Sequence, residues 1–151
     1  MVDNVIVPIR KKFVTPVLTD IRTCWEDIRE GLDFILEQNP HFTYRPEDVY
    51  SECVNNRAML FHSPVGFAIL TIQPDAFTGE KTLVLWIAYS FERGNHHGLD
   101  HIEWIEDVAR DWDCKFIEVQ SAVPELKPYL TKNGWDLEAI LYKREVKNDG
   151  S

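Results

Sequence analysis

One stretch of the chain, Thr82 to Gly98, constrains the fold more than any other. Its first half, Thr82 to Tyr89, is an apolar run rich in β-branched and aromatic residues, the pattern of a strand buried on both faces. Its second half turns polar, with two glycines, Asn95, His96 and His97, and leads into an amphipathic helix. A buried strand, a glycine-bearing loop and a helix start together form a natural anion site. The first N–H groups of a helix have no intrahelical partner, and the helix dipole favours negative charge there. A diphosphate suits such a turn.

The 151 residues suffice for one domain with a substantial core. With 25 acidic and 16 basic side chains, the formal charge is −9, which disfavours non-specific binding to nucleic acid or an anionic membrane. The three cysteines, Cys24, Cys53 and Cys114, form no CxxC pair and are expected to be reduced, buried thiols of a cytoplasmic protein. No segment has the roughly 20 apolar residues of a membrane span, and the N-terminus lacks a signal-peptide pattern.

Read in order, Val5 to Ile9 forms a short edge strand interrupted at Pro8. Leu18, Ile21, Trp25, Ile28, Leu32 and Ile35 then mark one apolar helix face. That helix starts at Thr19 or Thr15-Pro16 and stops at Asn39-Pro40. A second helix begins at Arg45-Pro46 and ends near Asn55-Asn56. Ala58–His62, Gly66–Gln73 and Thr82–Tyr89 read as an antiparallel meander. Ile102, Ile105, Val108, Ala109 and Trp112 define the inner face of a third helix, with Trp104 off that stripe and available to a partner. A strand at Phe116–Val119, a short helix at Pro124–Lys132 stopped by Asn133-Gly134, and a long strand at Trp135–Val146 complete the chain. The order β-α-α-β-β-β-α-β-α-β predicts a mixed α/β domain over 1–146, its largely antiparallel central sheet flanked by helices. Residues 147–151 form a frayed tail.

This order resembles the GNAT superfamily of acyl-CoA-dependent N-acyltransferases. The family's signature, Arg/Gln-x-x-Gly-x-Gly/Ala after the fourth strand, is matched at Arg93 and Gly98. Its C-terminal Tyr-x-Lys-x-Gly-Phe is matched at Lys132, Gly134 and Trp135. Three positions depart from the pattern: His96 replaces a glycine, Leu130 a tyrosine and Val123 a common asparagine. Arg45–Tyr50 and Trp86–Tyr89 are also similar to small GNAT-like proteins of tailed bacteriophages, some of which serve virion assembly.

The resemblance implies acetyl-CoA as co-substrate and a primary amine, on a small molecule or a protein, as acceptor. It assigns the pantetheine to the main chain of Trp86, Ile87 and Ala88, and the diphosphate to Arg93 and the amides of Asn95, His96, His97 and Gly98. Transfer requires a base for the amine and an acid for the leaving thiolate. Glu118, inside a short apolar strand, is the candidate base, a role that a buried carboxylate would suit. Tyr129, next to the departing Leu130, is the candidate acid, and Tyr89 is a candidate for the acceptor pocket. His96 and His97 have no third ligand at metal spacing, so no metal is expected. The competing expectation is a phage protein that keeps the fold without catalysis and serves as an assembly or interaction module, as a homo-oligomer or in a virion.

Overall fold

A computed structural model describes residues 14–91, 102–120 and 126–148. The chain divides into two compact units, Met1–Gln120 and Ser121–Ser151. The first holds a five-stranded sheet of order β1-β2-β3-β4-β5, formed by Val17–Leu18, Met59–Ser63, Gly66–Pro74, Lys81–Ser90 and Cys114–Val119. The first four strands pair antiparallel, and β4 pairs parallel with β5. The meander and the parallel pair around the third helix stand as the sequence predicts, and the mixed α/β class with them. Val5–Ile9 lies outside the described residues.

Strand alternation sends neighbouring side chains to opposite faces. On one face, Leu60, Phe67, Ile69 and Ile87 pack against Ile28 and Leu32 of helix α1 (Trp25–Gln38) and Val49 of helix α2 (Pro46–Val54). On the other, Phe61, Ala68, Leu70, Leu83 and Leu85 meet Trp104, Ile105, Val108 and Ala109 of helix α3 (Glu103–Asp111). No helix among the described residues is long and apolar enough to cross a membrane.

Helix α1 begins later than its periodicity suggests. Leu18 is an exposed residue of β1, paired with Phe61. The Asp20 carboxylate then accepts the Arg22 N–H at 3.0 Å and opens a 3-10 turn over Ile21–Thr23. The tighter turn keeps Ile21 on the buried face, so a helical spacing runs through residues that are not α-helical. Helix α2 follows its signals, with Pro46 in the first turn and the Arg45 N–H donating to Asp48 Oδ2 at 2.8 Å. Asp48→Ala should cost about 1 kcal/mol and lower Tm by a few degrees, measured by thermal unfolding.

Two aromatic assignments change. Trp104 is only 6% exposed, its ring 5.5 Å from Phe61, and is a core residue with no surface for a partner. Trp112 is 46% exposed because α3 ends at Asp111, and Asp113 with φ 55° turns the chain away.

The β3–β4 turn is held by Asp75. Its Oδ1 accepts the N–H groups of Phe77 at 2.8 Å and Thr78 at 2.9 Å. The Thr78 and Phe77 donors stabilise the carboxylate and hold its pKa below the ordinary value of 3.8. A depressed folded-state pKa contributes stability above the unfolded value, lost as pH falls through the folded one. Amide exchange of this turn should therefore accelerate as pH falls below about 4, after correction for intrinsic exchange, and Asp75→Asn should flatten that dependence.

In the second unit, helix α4 spans Leu126–Lys132 and stops as predicted. Gly134 has φ 88°, and the Trp135 N–H returns to the Leu130 carbonyl at 3.0 Å. The predicted strand Trp135–Val146 is absent: residues 135–148 have no regular secondary structure. Alternating apolar residues favour a strand only where a partner strand takes up the backbone hydrogen bonds, and among the described residues none does.

Candidate functional site

The end of β4 is the irregular part of the sheet. Ile69 pairs with Ile87 and Leu70 with Leu85, so Trp86 is one residue more on β4 than on β3. Such a bulge leaves a residue outside the ladder and increases the local twist. Both Trp86 and Ile87 consequently contact the α1–α2 core. On the opposite edge, β5 pairing ends where Leu85 meets Val119. Among the described residues no strand runs alongside Trp86, Ile87 and Ala88 on the β5 side. A strand edge with unpaired N–H and C=O groups is a template for any extended partner that carries amides. The three main-chain candidates thus sit together, at a bulge and past the last β4–β5 pair among the described residues.

Glu118 is half-buried on β5, in register with Val84, two residues before the bulge. Its neighbours Ile117 and Val119 pack toward α3, which places Glu118 on the α1–α2 face. Tyr129 is half-buried in α4 of the second unit. Arg93, Asn95, His96, His97, Gly98 and Val123 lie outside the described residues. Leu130 follows Tyr129 on α4, about 100° around the helix.

Burial bounds the chemistry that the thiols can do. Burial, with Glu52 adding to it, pushes the Cys53 thiol from 9.0 up to about 11, and burial also raises Cys24. Two pKa units reduce the thiolate about 100-fold, and the greater nucleophilicity of the more basic thiolate offsets about tenfold of that, so Cys53 should react with a disulfide reagent at pH 8 about tenfold more slowly in the native protein than in the unfolded chain. Site-resolved mass spectrometry of the labelling kinetics measures this.

A cleft of about 390 Å³ opens beside the same strand end. Tyr89 and Phe91 line it from β4 and the residue after it, His62 and Ser63 from β2, and Asp27, Glu30 and Gly31 from α1. Gly31 decides how close these parts come. A Cβ there would stand 2.7 Å from Phe67 Cε1 and 2.8 Å from Tyr89 Cδ1. The Tyr89 ring therefore lies directly on the helix backbone, with ring centroids of Phe34, Phe67 and Phe91 at 5.8, 5.5 and 5.9 Å. Of this cleft, sequence reasoning named Tyr89 and missed Asp27, Glu30 and His62. The available signal was Gly31 itself, a glycine inside a strong helical pattern, which marks close packing.

No protein-family model matches the sequence, and no curated protein sequence matches it. Solved structures do match by fold. A putative acetyl transferase from Pyrococcus furiosus aligns with a TM-score of 0.63 at 14% identity, over 86% of this chain and 99% of its own. The glucosamine-6-phosphate N-acetyltransferase from Arabidopsis thaliana aligns at 0.60 and 12%, over 87% and 97%. An acetyltransferase from Trypanosoma brucei aligns at 0.59 and 16%, over 80% and 94%. The fold is the GNAT fold. At these identities the likeness is one of architecture, and the GNAT sheet and helices are what this chain shares with those enzymes.

Proposed function

We propose that this GNAT-fold protein is an N-acyltransferase that moves the acetyl group of acetyl-CoA to a primary amine. The bulge at Trp86 carries the reading, because it coincides with the end of β5 pairing, past which no described strand lies on that side of β4 and a linear, amide-bearing arm would pair. Acetyl-CoA supplies an acyl group already activated as a thioester. The main-chain groups of Trp86, Ile87 and Ala88 hold the pantetheine arm. The guanidinium of Arg93 and the amides of Asn95, His96, His97 and Gly98 hold the diphosphate. Glu118 takes one proton from the acceptor ammonium, directly or through water, the freed amine attacks the thioester carbonyl, and as the C–S bond breaks Tyr129 gives its proton to the leaving sulfur and regains one from the nitrogen that becomes the amide. The setting is the cytoplasm, that of a host cell if the chain is phage-encoded.

Hydrogen exchange tests the strand-edge assignment. Acetyl-CoA should slow exchange selectively at amides within 86–88 that face the open edge, by about tenfold or more. Unchanged exchange there at saturating ligand would sink the assignment.

One observation favours the second reading, a fold kept for assembly without catalysis. Leu137, Ile140, Leu141, Tyr142 and Val146 are 59–89% exposed, an apolar stretch of the kind that partner surfaces cover. In that reading the chain acts as an interaction module, as the likeness to phage GNAT-like proteins suggests, and binds no acetyl-CoA.

A further inference from the structure

Three helices end on the same side-chain latch. Asn39 Nδ2 donates to the Ile35 carbonyl at 2.8 Å, Asn55 Nδ2 to the Ser51 carbonyl at 2.8 Å, and Asn133 Nδ2 to the Tyr129 carbonyl at 2.7 Å. Each amide reaches a carbonyl of the last turn, where intrahelical donors run out. The latches differ in the residue that follows. An asparagine amide is consumed when the next backbone nitrogen attacks its Cγ, which requires an N–H and an open approach. Pro40 has no N–H, and Asn56 carries a side chain that crowds the approach. Gly134 presents neither obstacle: it has no Cβ, and nothing beyond its chain neighbours stands within 4 Å of where one would be. Asn133-Gly134 is the one Asn-Gly pair in the sequence, and both residues are exposed.

The same cap holds this reaction back. The Asn133 amide is engaged by Tyr129, the Gly134 N–H donates to the Thr131 carbonyl at 3.4 Å, and the Trp135 N–H closes on Leu130 at 3.0 Å. Helix α4 has only 7 residues, so its last turn opens at low cost.

We propose that Asn133-Gly134 is a self-modification site gated by the C-terminal cap of α4. When the cap opens, the Gly134 nitrogen gives its proton to a solvent base and attacks Asn133 Cγ. The bond from Cγ to the side-chain nitrogen breaks, and that nitrogen takes a proton from water and leaves as ammonia. Water then adds to one carbonyl of the succinimide and breaks its bond to the Gly134 nitrogen, which regains a proton. Opening at Cγ leaves aspartate; opening at the main-chain carbonyl leaves isoaspartate, with the chain running through Cγ. Either product is a carboxylate with no N–H for the Tyr129 carbonyl, at a helix end where negative charge is unfavourable. Isoaspartate also lengthens the main chain by one methylene and moves the Gly134 and Trp135 N–H groups out of register. The latch is thus lost for good, whether or not the chain transfers acyl groups.

The test incubates the purified full chain in mildly alkaline buffer, native and in guanidinium chloride. Peptide mass spectrometry follows the replacement of NH by O at each asparagine, with isoaspartate detected in the same peptides. In the unfolded chain Asn133 should convert ahead of every other asparagine, and in the native protein about tenfold more slowly or less. Gly134→Ala, compared in guanidinium chloride where no cap forms, should slow the conversion about tenfold. Native protein that has converted, separated by its added charge, should exchange the Trp135 amide about tenfold faster than unconverted protein. Equal rates in native and unfolded protein would overturn the gate. Earlier conversion of another asparagine in the unfolded chain, or an unchanged rate in Gly134→Ala, would overturn the site. Unchanged Trp135 exchange after conversion would overturn the loss of the latch.

Discussion

Gly66→Ala should destabilise the protein by about 3 kcal/mol and lower Tm by roughly 10 °C. Gly66 is buried where β2 turns into β3, paired with Ser63 on one side and Ser90 on the other. A Cβ there would run into the Tyr89 carbonyl oxygen, with Ser90 Cα at 3.1 Å and the Tyr89 carbonyl carbon at 3.3 Å. All three are backbone atoms of the next strand, which cannot rotate away as a side-chain end can. The corner is otherwise fastened. The Val65 N–H donates to Ser63 Oγ at 3.2 Å, and the Phe91 N–H to the Val65 carbonyl at 2.9 Å. Relief therefore requires the end of β4 to move off β3, at the strand end that carries the candidate site. Thermal and urea unfolding measure the loss. A Tm within about 2 °C of wild type would mean that the strands are not held this closely.

Gly31→Ala should destabilise by about 2 kcal/mol, against the direction that helix propensity alone would give. At an open position inside a helix, alanine in place of glycine gains about 1 kcal/mol. At Gly31 the new methyl would meet the Phe67 and Tyr89 rings below 3 Å. Neither ring can swing freely, since each packs against the other and against Phe91. The clash outweighs the propensity gain, and the Tyr89 ring must shift into the cleft. A stabilised Gly31→Ala protein would contradict the packing described for α1 on β4.

Much of this fold is readable from local punctuation. Pro46, Asn39-Pro40 and Asn133-Gly134 act through backbone conformation, so they set helix ends wherever the chain goes. The three meander strands are readable because both faces of the sheet are covered and their apolar runs are continuous. The features that failed depend on partners distant in sequence. Leu18 fits the helix period of α1, yet the pairing with Phe61 takes it into a strand. Trp104 and Trp112 exchange roles because α3 stops at Asp111, one residue before its stripe would reach Trp112. Trp135–Val146 has the alternation of a strand without forming one.

The candidate site divides in the same way. Trp86, Ile87 and Ala88 are found from the apolar run, but the bulge that sets them apart is invisible in β4 alone. A bulge is defined by two residues facing one, and the one is Ile69 on β3. No glycine marks it. The Tyr89 ring is found from the same run, but its seat against α1 is visible only through Gly31, whose missing Cβ lets ring and helix meet.

The most direct test of the central claim is calorimetric titration of the purified protein with acetyl-CoA, with free CoA as the control and Arg93→Ala as the variant. The transferase account predicts saturable binding in the micromolar range, about 8 kcal/mol, weakened about tenfold by Arg93→Ala. Folded protein that yields no binding heat at any temperature tried, and no competition at high micromolar acetyl-CoA, would contradict it.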